Sequence, residues 1–196
     1  MLRKYWNNLS CKIYSMKLIK EEIVFQGKLI EVVQQTVEIG DKQLLREIAR
    51  RSPGVRLIIC DGDKILITKE FRREVNVEDY RLPGGKVFDT LKEYNDHKND
   101  IEKYALLWVK RECEEETWLI PEDITLYHIS KVWATMERDL YYYVITKFSH
   151  HEQWQQLELW EHITVEWKTK EEILDLIKKW AMHEDRSVGV LLRYLS

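Results

Sequence analysis

Three cysteines, Cys11, Cys60 and Cys113, are scattered through 196 residues, and none falls in a C-x-x-C spacing. That scarcity argues against a disulfide framework and against a cysteine-ligated metal site. An excess of one charge is lacking too. The 31 basic residues face 34 acidic ones, a net charge of −3. The bulk composition therefore carries no polyanion-binding signature, and nucleic acid is not an expected partner. No apolar run reaches membrane-spanning length, and residues 1–9 lack the apolar core of a secretion signal. There is no internal repeat and no low-complexity segment. These absences leave an expectation of a reduced, soluble, cytoplasmic protein. Its 33% charged and 44% hydrophobic residues suit one ordinary globular unit.

Punctuation by turn residues divides the chain. Residues 1–16 read as a polar extension without a period. Strands are predicted over Glu22–Gln26, Leu29–Ile39 and about Gln43–Ala49, separated by Gly27 and by Gly40-Asp41. They predict a small antiparallel sheet within residues 17–54, bounded by Ser52-Pro53-Gly54. The main domain is expected over 55–196. Asp61-Gly62 between Val55–Cys60 and Lys64–Thr68 is a hairpin signal. A short strand, Tyr80–Leu82, runs into Pro83-Gly84-Gly85.

A helix is predicted over Ile101–Thr117, with Ala105, Leu106, Val109 and Cys113 toward a core and Asn99 or Asp100 as cap. Strands are expected at Thr125–Val132, Leu140–Phe148 and Ile163–Trp167. The capping box Thr169…Glu172 opens another helix, and a last one is expected at Ser187–Leu195. The Tyr141-Tyr142-Tyr143 run reads as a strand with alternating faces. The order of elements predicts an α/β (α+β) fold with a mixed sheet.

The chemistry concentrates in Arg111-Glu112-Cys113-Glu114-Glu115-Glu116. Like charges three or four residues apart on a helix repel. A divalent cation reverses that sign, because Mg²⁺ prefers carboxylate oxygens and binds together with substrate phosphates. Glu112, Glu115 and Glu116 stand at i, i+3 and i+4, so they project from one side of the helix. Gly84-Gly85 permits close backbone approach and can offer carbonyl ligands.

These residues resemble the Nudix box, whose second half is matched by Arg111 to Leu119 and whose opening glycine is matched by Gly85. Gln26-Gly27-Lys28-Leu29, Arg46-Glu47-Ile48, Glu70-Phe71-Arg72 and Glu137-Arg138 are similar to the ADP-ribose pyrophosphatase branch. The resemblance implies a Nudix-type α/β/α sandwich and hydrolysis of a nucleoside diphosphate linked to another moiety. ADP-ribose, giving AMP and ribose 5-phosphate, is the first expectation. Other nucleotide sugars or dinucleotides, or a catalytically silent nucleotide sensor, are the alternatives.

Carried over by position, Gly84, Glu112, Glu115 and Glu116 would hold Mg²⁺ or Mn²⁺, and Arg111 would brace the carboxylates. Glu137 would act as general base, and Arg72 and Arg46 would bind phosphate. A homodimer through the N-terminal sheet is implied as well. Three departures from the box stand out. Gly85 and Arg111 are 26 positions apart, which places an insertion of about twelve residues near 88–100. The box's early glutamate falls on Lys103, with Glu102 beside it. Trp118 replaces the closing glycine, which predicts a helix end other than the usual left-handed cap.

Overall fold

The computed structural model describes residues 15–73, 76–132, 134–151 and 162–196. The expected extension and Cys11 lie almost wholly outside the described residues. Strands β1 (Met16–Gln26), β2 (Ile30–Ile39) and β3 (Lys42–Arg51) form an antiparallel meander. β1 begins at Met16, well before the predicted Glu22. A two-residue strand, Met136–Glu137, joins this sheet parallel to β3. It is β8 in chain order.

The second sheet has six strands. β4 (Gly54–Asp61), β5 (Lys64–Arg72), β7 (Leu119–Ser130), β9 (Leu140–His150) and β10 (Ile163–Thr169) run in the order β10-β5-β4-β9-β7, with β6 (Val77–Arg81) paired to β5. β4 lies parallel to β9, while the other pairings are antiparallel, so the sheet is mixed as expected. Gly62 turns the β4–β5 hairpin at φ 59°, a left-handed conformation that glycine adopts without steric cost.

Both faces of this sheet are covered, which makes three layers. Helix α2 (Ile101–Thr117) lays Ala105, Val109 and Cys113 on one face, against Leu57, Ile59, Tyr141 and Tyr143. Helices α3 (Lys170–Lys178) and α4 (Asp185–Tyr194) cover the other with Ile173, Val190 and Leu191, against Ile58 and Tyr142. The three consecutive tyrosines thus alternate between the two cores, and all three are buried. The Thr169–Glu172 capping box is formed in full. No helix among the described residues is long and apolar enough to cross a membrane.

Two expectations need correction. Leu106 is not a core residue but is 39% exposed; a step of one residue rotates it roughly 100° away from Ala105. Helix α2 does close in a left-handed conformation, with Trp118 itself at φ 51° and its N–H donating to Glu114 O. That conformation costs a non-glycine residue about 1–2 kcal/mol, and packing of the indole against the core offsets it.

The inserted segment has structure of its own. It contains helix α1 (Leu91–His97), opened by a Thr90–Glu93 capping box and followed by a 3₁₀ turn into α2. Leu91 N–H donates to Lys28 O at 2.9 Å, which ties α1 to the β1–β2 turn. Phe88, His97 and Tyr104 stack behind it, with ring centroids 4.6–6.0 Å apart.

Candidate functional site

The turn after β6 is built around close backbone contacts. Pro83 O and Gly85 O accept from Leu57 N–H and Val55 N–H, both at 2.9 Å. Gly84 sits at φ 130°, and a Cβ there would meet Val55 O at 2.3 Å. A Cβ on Gly85 would lie 2.1 Å from Glu112 Oε1. Only glycine fits at Gly84, while at Gly85 a Cβ would have to displace the box carboxylate that fills the space.

Two more box carboxylates have defined partners. Glu116 Oε2 accepts from Gly84 N–H at 2.8 Å. Glu115 Oε1 accepts from Arg111 Nε at 2.7 Å, and the Arg111 guanidinium also lies 4.5 Å over the Trp108 ring. The hydrogen bond to Glu115 raises the Arg111 pKa above its ordinary value. Among the described residues no group of three or more His, Cys, Asp or Glu is drawn together closely enough to hold a metal ion. The donor chemistry still suits Mg²⁺ or Mn²⁺ in kind, being hard carboxylate oxygens beside a carbonyl.

Gly84 O accepts from Arg56 Nη1 at 3.2 Å. Arg56, 4% exposed, is gripped by Glu184 through Nε and Nη2 at 2.7 and 2.6 Å. Burial would raise the Glu184 pKa, but the Arg56 hydrogen bonds and charge hold it at about 2. This buried pair underpins the glycine turn, and nothing local in the sequence marks it.

The remaining predicted residues fall elsewhere. Glu137, on β8, accepts from Arg50 Nε at 2.6 Å, and Arg50 also reaches Glu31 at 3.1 Å. Arg46 donates to Ala134 O at 3.2 Å. Glu137 and Arg46 line one cavity of about 520 Å³, between the N-terminal sheet, the inserted segment and the 131–139 loop. Glu112, Glu115 and Glu116 are not on its wall. Arg72 pairs with Glu70 at 2.7 Å, while its buried Nε has no hydrogen-bond partner among the described residues. The structure therefore places Glu112 and Glu116 at the glycine turn and Glu115 on Arg111, puts Glu137 with Arg46 in the cavity, and leaves Arg72 on β5.

A three-layer fold with a glycine turn lying against a glutamate-rich helix is a Nudix-type α/β/α sandwich. No family model matches the chain. It is 26% identical over 184 residues to the ADP-ribose pyrophosphatase of Bacillus subtilis (strain 168), with 91% of each chain covered. It is 25% identical over 190 residues to the methanol dehydrogenase activator of Bacillus methanolicus, with 94% of each covered. A solved structure described as an ADP compounds hydrolase superposes with a TM-score of 0.66 at 16% identity, covering 91% of both chains. The chain thus has the Nudix superfamily fold and is distantly related to the ADP-ribose pyrophosphatase branch.

Proposed function

We propose that this protein is a Nudix-type pyrophosphohydrolase acting on a nucleoside diphosphate linked to a second moiety, with ADP-ribose as the first substrate to test. The observation that carries this reading is the placement of Glu112 and Glu116 directly on the Gly84-Gly85 turn. Glu112, Glu115 and Glu116 would hold Mg²⁺ or Mn²⁺, which when bound polarises phosphoryl oxygens and activates water. The Gly84 carbonyl keeps a second lone pair beside its Arg56 bond and could join them.

The protein's own groups supply the rest. Arg111 orients Glu115 through the 2.7 Å bond. Glu137 would take the proton of the attacking water, a role worth about 10²–10⁴-fold in rate, and Arg50 would reorient it between turnovers. Arg46 and Arg72 would offer guanidinium forks to phosphate oxygens. Incubation of the full chain with ADP-ribose and Mg²⁺ should release AMP and ribose 5-phosphate, resolved by ion-exchange chromatography. Binding without turnover on ADP-ribose, nucleotide sugars and dinucleotides alike would replace the enzyme with a nucleotide sensor.

The same reading includes a homodimer through the N-terminal sheet. Every residue of β1 is exposed, with Ile23, Val24 and Phe25 each more than half exposed, and exposed Leu44 of the same sheet lies in register with exposed Leu18 through Val37. An apolar edge strand of this kind is rarely left bare in a monomer. Sedimentation at micromolar concentration should give a mass near twice 23.8 kDa. A monomer that persists at 100 μM would remove the dimer from the proposal.

A further inference from the structure

The cavity beside the glycine turn holds more positive charge than a diphosphate needs. Arg46, Arg51, Lys98, Lys131 and Arg138 all line it. None of the five has a carboxylate ion-pair partner among the described residues. Of the two acidic residues on the wall, Glu137 is already paired with Arg50, which leaves Asp139. A chain of net charge −3 thus gathers more cations than anions on one concave wall. Such groups repel one another unless an anion sits among them.

Arg138 joins this wall to the glycine turn. The point where a Gly54 Cβ would stand lies 2.8 Å from Gly85 O and 3.9 Å from Arg138 Nη2. The guanidinium and the turn that carries Glu112 therefore flank the same spot. Arg138 Nε is buried and has no hydrogen-bond partner among the described residues. Burial, and repulsion from Arg51 and Arg56, lower its pKa to about 10. An arginine in that condition is completed by a phosphate, which matches its fork of donors. Tyr94 and Ile101, with Tyr141, give the same cavity an apolar wall. Its volume of about 520 Å³ is that of a small-molecule pocket.

We infer that this cavity binds a nucleotide derivative carrying at least one phosphate beyond the diphosphate, with Arg138 at the glycine-turn end and Lys98, from the inserted segment, on the cavity wall. The insertion is then a specificity element. The inference rests on the hydrolase reading for the identity of the substrate, but not for binding.

Calorimetry on the full chain in EDTA, where metal-dependent turnover is silent, separates the two. The probes are ADP-ribose and the same compound with a phosphate on the adenosine 2′-hydroxyl. The extra phosphate should tighten Kd at least tenfold at 50 mM salt, with the advantage shrinking at 300 mM as charges are screened. Lys98→Ala, at an exposed position, and Arg138→Gln should each remove most of that advantage, whereas Glu116→Gln should keep it. Thermal melts accompany each variant; because Arg138 is buried with no hydrogen-bond partner for its Nε among the described residues, R138Q should melt no lower than the parent. Equal affinity for both probes, or an advantage that survives in the double variant, overturns the inference. Phosphate preference without turnover would defeat only the hydrolase reading, and turnover without preference only this one.

Discussion

Glu116→Gln is expected to lower Mg²⁺-dependent hydrolysis of ADP-ribose by about a thousandfold while leaving the fold intact. The amide oxygen of glutamine can accept the Gly84 N–H bond that Glu116 Oε2 accepts at 2.8 Å. The turn therefore keeps its contact, and what disappears is one negative charge. Charge stabilisation by a bound metal is worth several kcal/mol in a transition state, and about 1.4 kcal/mol is a factor of ten in rate. A steady-state assay over a Mg²⁺ titration, paired with circular dichroism, checks the result. Activity within threefold of the parent would mean that the metal is held elsewhere.

The largest effect on stability is expected from the buried pair beneath that turn. Arg56→Met should cost about 3–5 kcal/mol, because it strands Glu184 without its counter-charge in a buried site. Urea denaturation measures the loss, and a change under 1 kcal/mol would contradict the assignment. The pair also predicts an acid limb. Glu184 is shifted from an ordinary 4.5 to about 2 in the folded chain. Its contribution, about 3 kcal/mol for such a shift, is therefore complete above pH 4.5 and lost as the pH falls through 2. Glu184→Gln should flatten the stability profile between pH 5 and pH 2. An unchanged slope there would assign the acid sensitivity to other carboxylates.

What could be read ahead of the structure was local. Helix α2 was predicted at its true bounds because its apolar stripe and its carboxylates lie within one segment. The hairpin at Asp61-Gly62 and the Thr169…Glu172 cap were legible for the same reason. Thr90…Glu93 carries the same capping signature, but the helix behind it buries only Leu91, so no apolar stripe marks it. Arg56 sits inside a strand of aliphatic residues and meets a partner 128 positions away. No spacing rule reaches that far. The cavity was hidden likewise, since its cations come from β3, the end of the inserted segment and the 131–139 loop.

The two-residue strand β8 has a mechanical meaning. It pairs Arg50 with Glu137 and Ala49 with Met136, so the residue proposed to move protons is stitched to the N-terminal sheet. The glutamates on α2 belong to the other sheet's scaffold. The box carboxylates and Glu137 are therefore held by different sheets. The bonds from Leu91 N–H to Lys28 O and from Gly54 N–H to Asp139 O tie these two frameworks together at the inserted segment and at the start of β4.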